Sequence, residues 1–246
     1  MVRERRALDG ARRRRMYLFR HGAVDYMQPD GTWVADPDVV VLSDKGHEQA
    51  HAMAKQFEGV IVDRAVCSGL SRTRQTGEII LGDRDIELDV LADLEEIRPL
   101  RGEATGGYDV FADIAYLHWR ATDFETRFLG GEMYSDFYAR IVAAMESLLA
   151  NLTWNNLAVF AHGGTNAAAL GWVLGLGLDA FGALDQENCC LNVIDFDTLE
   201  DDGRIVRKTV RGMNITAVDP LKRDRHAGDM EMLAGLLLKI RDGAQE

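Results

Sequence analysis

Cysteine is scarce in this chain of 246 residues: only Cys67, Cys189 and Cys190 occur. The count is odd, adjacent cysteines rarely pair, and no Cys-x-x-Cys spacing exists. A disulfide framework and a zinc knuckle are therefore both excluded as organising principles, and a reducing cytoplasm fits. Long apolar runs are missing too. No stretch approaches the 18 residues of a membrane-spanning helix. Cations are in the minority, 28 against 40 acidic residues, for a net charge of −12. That balance argues against a general nucleic-acid binder and against a membrane-surface protein. It leaves room for a phosphate-handling enzyme, because a few arginines can make a positive pocket in an acidic protein. Internal repeats are absent.

The positive charge that is present is unevenly placed. Residues 1–15 hold seven arginines against Glu4 and Asp9, a net of +5, so the rest of the chain carries −17. No apolar stretch precedes Arg12–Arg15, so this head is no signal peptide. Residues 1–15 are read as a basic, disordered leader, with an arm for RNA or an acidic partner as the other reading. Residues 16–246 are then a single domain. Apolar residues make up 47% and charged residues 28%, enough for a sizeable core in a globular chain.

Strand and helix patterns alternate along that domain. Tyr17–Phe19 reads as a strand and Gly22–Asp38 as loop, broken by Pro29, Gly31 and Pro37. Ser43 is placed to cap a helix that runs to about Phe57. Val60–Val62 and Arg64–Cys67 form a buried apolar stretch ending at Ser68, followed by a helix over Arg72–Leu81 and a short strand at Ile86–Leu88. Ser135–Leu152 is amphipathic, with Phe137, Ile141, Met145, Leu148 and Leu152 at helical spacing. Leu157–Ala161 is a strand that meets His162-Gly163-Gly164 and a helix over Thr165–Leu174. Leu191–Phe196 and Ile205–Val210 form a hairpin around Asp201-Asp202-Gly203, and Met230–Ile240 is a terminal helix. The class is α/β: a three-layer α/β/α architecture with a mainly parallel sheet, helices on both faces and an inserted cap. The cap is about residues 98–131, rich in glycine and aromatics, with a helix from about Asp109 to Ala121.

Ligands of such sheets bind at the carboxyl ends of strands. Four groups of reactive residues fall there: Arg20-His21, Ser68 with Arg72, Glu95-Glu96, and His162 with Gly163. Each alone has an ordinary structural explanation; together at the ends of one sheet they suit phosphoryl transfer. An imidazole nitrogen attacks phosphorus. Guanidinium groups hold the non-bridging oxygens with paired hydrogen bonds. The helix after His162-Gly163-Gly164 offers free amides to an anion. A carboxylic acid, Glu96 or its neighbour Glu95, protonates the leaving oxygen and then deprotonates water.

The residues Leu18-Phe19-Arg20-His21-Gly22, Ser68-Gly69-Leu70-Ser71-Arg72-Thr73-Arg74-Gln75-Thr76, Leu94-Glu95-Glu96-Ile97 and Phe160-Ala161-His162-Gly163-Gly164 occur in an order that resembles the histidine phosphatase superfamily, in its phosphoglycerate mutase-like branch. The resemblance spans about residues 16–210. It implies His21 as the phosphorylated nucleophile, Arg20, Arg72 and His162 as phosphoryl ligands, Glu96 as the acid, and no metal or cofactor. The substrate it implies is a small phosphorylated molecule, with no nucleic-acid or membrane partner; a homodimer is left open. A phosphoglycerate mutase would carry Glu-Arg-His-Tyr-Gly around the acid, where this chain has Glu96-Ile97-Arg98-Pro99-Leu100. Ala23-Val24-Asp25-Tyr26 after Arg20-His21-Gly22 also departs from the family pattern. Hydrolysis of a small phosphomonoester is thus the first reading. Mutase-type phosphoryl transfer, a metal-dependent hydrolase using His21, His162 and Glu96 as ligands, and a non-catalytic phosphate-binding protein are the alternatives. The aromatics of 98–131 either pack the cap onto the domain or line a pocket for an apolar leaving group, and Arg98 with Arg101 is a candidate second anion site.

Overall fold

The computed structural model describes residues 10–28, 32, 34–100, 116–123, 125–199, 201–223, 226–228, 230–232 and 234–235. Six strands form one sheet: β1 (Ala11–Arg20), β2 (Arg64–Cys67), β3 (Leu88–Val90), β4 (Asn156–Ala161), β5 (Leu191–Leu199) and β6 (Ile205–Ile215). Their order is β3-β2-β4-β1-β5-β6. The first four are parallel, and the β5–β6 hairpin adds antiparallel to β1. The sheet is mixed, with the parallel part carrying the strand ends of interest.

Helices α1 (Asp44–Gln56) and α2 (Ser71–Leu81) pack on one face, α3 (Tyr134–Ala150) and α4 (Gly163–Leu174) on the other. Alternation along β1 serves both layers. Met16 and Leu18 point into the core with Phe137, Ile141, Met145 and Leu170. Phe19 points into the core with Met53, Phe57 and Phe160. Full burial of each such side chain contributes roughly 1.5–3 kcal/mol. Ser43 caps α1, its hydroxyl accepting the Gly46 amide at 3.2 Å. The interrupted stretch at 60–67 yields a strand only over Arg64–Cys67, and the third strand lies at Leu88–Val90, two residues beyond Ile86–Leu88.

The basic head requires a correction. Arg12–Arg15 are not in a leader: β1 begins at Ala11, and only residues 1–9 of that segment lie outside the described residues. The arginines enter the sheet because each finds a partner on its own side of the pleat. Arg13 grips Asp197 with Nε at 2.8 Å and Nη2 at 3.1 Å, and Arg207 of β6 holds the same carboxylate at 2.7 Å. Arg15 and Arg211 hold Asp195 in the same way, at 2.7 and 2.8 Å through Nε. The register makes Arg13–Asp197 and Arg15–Asp195 direct cross-strand pairs. On the opposite side Arg14 is fully buried. It donates to the Asn151 carbonyl at 2.6 Å and to the Leu149 carbonyl, at the end of α3, and lies 4.3 Å over the Trp154 ring. It completes the helix terminus, whose last carbonyls lack intrahelical donors. Burial lowers its pKa to about 10.

The cap segment is only partly described. Most of the expected Asp109–Ala121 helix lies outside the described residues, and its end is a 3-10 turn, His118–Arg120. His118, Phe128, Tyr134 and Phe181 form one edge-and-face cluster, so these aromatics pack the cap against α3. Arg101 falls outside the described residues, as does the Met230–Ile240 helix beyond Gly235.

Arg14→Met should remove the donors from two carbonyls at the α3 terminus. We expect a loss of about 3 kcal/mol, read as a lower urea midpoint at unchanged slope.

Candidate active site

Three parallel strands deliver three residues to one place. β1 and β4 pair Phe19 with Phe160 and Arg20 with Ala161, and the His21 amide donates to the Ala161 carbonyl at 3.1 Å. His21 and His162 therefore leave adjacent strands at the same level, with ring centroids 5.2 Å apart and planes at 69°. β2 pairs Cys67 with Phe160, and the Ser68 amide donates to the Phe160 carbonyl at 3.2 Å, which brings the Ser68 hydroxyl within 2.9 Å of His162 Nε2. His21 is 3% exposed and His162 is fully buried.

His21 is held in one tautomer. Its Nδ1 lies 2.7 Å from the Gly22 carbonyl oxygen, which can only accept, so Nδ1 carries the hydrogen and the neutral ring keeps its lone pair on Nε2. The Gly22 amide donates to Thr76 on α2 at 3.1 Å. A side chain at Gly22 would meet the Gly46 carbonyl at 2.6 Å, so the loop after His21 lies directly against α1.

The cations are oriented by carbonyls. Arg20 donates to the Gln186 carbonyl, and the Gln186 side chain is itself held by Asn192 at 2.7 Å. Arg72, in the first turn of α2 and 4% exposed, donates to the Pro37 carbonyl at 2.9 Å, and its guanidinium carbon stands 6.0 Å from the Tyr26 ring. Arg72 Nε and His162 Nδ1 are buried with no hydrogen-bond partner among the described residues. Of the two, the Arg72 Nε–H is a donor that an anion would satisfy as it stands.

Glu96 and Glu95 diverge. Glu96 Oε2 accepts the Gly164 amide at 3.0 Å, at the start of the helix that follows His162. A Cβ on Gly164 would fall 2.4 Å from Glu96 Oε1, so only glycine lets the carboxylate sit there. Glu95 instead pairs with Arg98 at 3.1 Å, toward solvent. Its partner Arg98 is thereby engaged. Gly163 lies beside Arg20: a Cβ there would be 3.4 Å from Arg20 Nε. The structure thus brings together Arg20, His21, Arg72, Glu96, His162 and Gly163, and turns Glu95 away. Gln186, Thr73 and Thr76 are contributors that sequence reasoning did not single out. Thr73 and Thr76 stood inside the Arg72–Thr76 motif; nothing in the sequence pointed to Gln186.

The electrostatics are one-sided around His162. Burial, then Arg72, His21, Arg20 and Arg140, hold it neutral well below its ordinary pKa of 6.5. Tyr134 is pushed far above its ordinary value by burial and the charge of Glu96, so it stays protonated, bonded to His118 at 2.9 Å. Among the described residues no group of three or more His, Cys, Asp or Glu is arranged to hold a metal, and no helix is long and apolar enough to cross a membrane. A cleft of about 490 Å³ opens beside the loop after His21, lined by Asp25, Val34, Val40, Leu42 and Ser43 among others.

Comparison with known proteins places the chain in a family. The sequence profile of the histidine phosphatase superfamily (branch 1) matches residues 16–209. A 2-carboxy-D-arabinitol-1-phosphatase of Triticum aestivum is 29% identical over 224 residues, 89% of this chain and 44% of the wheat protein. The adenosylcobalamin/alpha-ribazole phosphatase of Escherichia coli K12 is 24% identical over 186 residues, 74% of this chain and 90% of that protein. The structure of a mycobacterial glucosyl-3-phosphoglycerate phosphatase superposes with a TM-score of 0.66 at 26% identity, covering 82% of this chain and 99% of the other. The chain spans less than half the length of the plant relatives it matches.

Because His162 is neutral in the fold while the unfolded chain protonates at its ordinary pKa, proton uptake favours unfolding as pH falls below 6.5. Stability should decline there by up to about 1.4 kcal/mol per pH unit. Urea denaturation at several pH values should show a shallower decline in His162→Gln.

Proposed function

The chain belongs to the histidine phosphatase superfamily, and from that premise we propose that it hydrolyses a small phosphomonoester through a phosphohistidine on His21, without a metal. The observation that carries this reading is the His21–Gly22 hydrogen bond, which puts the ring hydrogen on Nδ1 and the lone pair on Nε2, within a group of cations. In the first step Nε2 attacks phosphorus and the bond to the leaving oxygen breaks; the Glu96 carboxylic acid gives that oxygen its proton. In the second, the Glu96 carboxylate takes a proton from water, the water oxygen bonds to phosphorus, and the phosphorus–nitrogen bond breaks. Inorganic phosphate leaves and His21 is restored. Arg20 and Arg72 hold the non-bridging oxygens and offset charge that builds in the transition state. The amide that Gly164 gives to Glu96 supports Glu96 over Glu95 as the acid, since it ties the carboxylate to the turn after His162.

Hydrolysis is favoured over phosphoglycerate-type transfer by the residues just after Glu96. Arg98, in place of a histidine-bearing motif, is engaged with Glu95 and directed outward. Relatives named as phosphatases support the same choice.

Turnover of p-nitrophenyl phosphate should persist in EDTA and fall to background in His21→Ala. Glu96→Gln should lower kcat by about 10²- to 10⁴-fold, the usual worth of a general acid, while Glu95→Gln changes it little. Activity that vanishes with EDTA and returns with zinc would overturn the reading.

A further inference from the structure

His162 sits at the end of a chain of hydroxyls, and the donors in that chain can be counted. Thr73 Oγ1 lies 2.8 Å from the Leu70 carbonyl, which can only accept, so the single hydroxyl proton of Thr73 is directed there. Ser68 Oγ lies 2.9 Å from Thr73 Oγ1 and 2.9 Å from His162 Nε2. With Thr73 committed, Ser68 donates to Thr73 and has only lone pairs left for the imidazole. Nε2 must then carry the hydrogen. The reverse direction would give up the shortest bond of the three. A neutral imidazole has one hydrogen, so Nδ1 is bare, and it is also the nitrogen that is buried without a partner among the described residues.

A bare nitrogen is the wrong ligand for a phosphoryl group. The oxygens of a phosphoryl dianion only accept, and two lone pairs facing each other in a buried site repel. Burial and the groups around it hold His162 neutral: Arg72 from α2, His21 just after β1, Arg20 at the end of β1 and Arg140 from α3. Glu96, bonded to the Gly164 amide, is the nearby carboxylate. A dianion bound among these cations reverses the balance, because it screens them and offers Nδ1 a strong acceptor.

We propose that binding of a phosphoryl group is coupled to protonation of His162 at Nδ1, with Ser68 and Thr73 as the positioning residues that enforce the coupling by keeping the other hydrogen on Nε2. The proposal rests on the phosphatase reading. The proton balances in either of two ways. From a phosphomonoester monoanion, the O–H bond of the phosphoryl hydroxyl breaks and the Nδ1–H bond forms, leaving the dianion beside an imidazolium. From solvent, a hydronium ion supplies the proton and becomes water. In both cases the imidazolium donates from Nε2 to Ser68 and from Nδ1 to a phosphoryl oxygen, and both ring nitrogens are satisfied.

The test uses the full chain with 15N-labelled histidine, at neutral pH, with the His162 signals identified by their loss in His162→Gln. The ligand-free protein should show a protonated Nε2 and an unprotonated Nδ1. Saturating inorganic phosphate should move Nδ1 to the protonated position while Nε2 stays protonated. Ser68→Ala should let both tautomers populate in the ligand-free protein and raise KM for p-nitrophenyl phosphate about tenfold, as loss of one charge-assisted hydrogen bond would. Ser68→Thr should restore the single tautomer, which a purely packing role for Ser68 would not. A hydrogen on Nδ1 before phosphate is added, or a bare Nδ1 in the phosphate complex, overturns the proposal even if His21-dependent hydrolysis is intact. If phosphate perturbs neither His21 nor His162 at any concentration, the phosphatase reading fails and this inference fails with it.

Discussion

The parallel pairing of β1 with β4 is the constraint on which the candidate site depends. Neighbouring parallel strands run about 4.8 Å apart and end together when their register is level. Here Arg20 faces Ala161, so the next residue on each strand is a histidine, and the two rings meet edge to face. Ser68 is placed by the same rule one strand further out, through the pairing of Cys67 with Phe160. A slip of one residue in either register would turn Phe19 and Leu18 to the wrong cores and separate the histidines at once. The core thus fixes the candidate site: Phe19 stacks on Phe160 at 4.9 Å, immediately before the strand-end residues.

The chain uses its arginines in two distinct ways, and the difference lies in what each is bonded to. In the sheet, Arg13, Arg15, Arg207 and Arg211 surround the buried carboxylates of Asp195 and Asp197. Burial alone would raise those carboxyl pKa values; the guanidinium hydrogen bonds outweigh it and hold both below the ordinary value. At the strand ends, Arg20 and Arg72 donate to the carbonyls of Gln186 and Pro37. A carbonyl orients a guanidinium and leaves its charge in place. Burial first, then the charges of both arginines, lower the His162 pKa, so this charge bears on the site. An acidic protein with a net charge of −12 thereby keeps a locally positive pocket.

Much of this was legible in the sequence because it depends on strand ends. Apolar runs of the right length located β1, β2 and β4, and the residues just beyond them, His21, Ser68 and His162, come by counting. What was not legible depends on pairing across long separations. Arg12–Arg15 read as a solvated head because charge was counted along the chain. The partners of Arg13 and Arg15, Asp197 and Asp195, are about 180 residues away on a strand whose place beside β1 is a property of the topology. The divergence of Glu95 and Glu96 was out of reach for a related reason, since it turns on the room left by Gly164, 68 residues beyond Glu96. Gln186 acts through its backbone carbonyl, which any residue could supply, so no side-chain pattern marks it.

The position of the sequence departures divides the molecule functionally. The candidate site residues His21, Arg72 and His162 are fixed at strand ends and a first helical turn, and they are buried. The unusual Ala23-Val24-Asp25-Tyr26 lies immediately after them, in a loop that touches the site from outside: Val24 bridges to Leu42, Tyr26 faces Arg72, and Asp25 lines the neighbouring cleft. Arg98, just after the acidic pair, is bonded to Glu95. A fold that keeps its phosphoryl chemistry on the sheet can change what is attached to the phosphate by changing such loops alone. Among the described residues, this loop and the cleft beside it combine apolar side chains, a tyrosine and carboxylates, so they differ in chemistry from the cationic strand ends they adjoin.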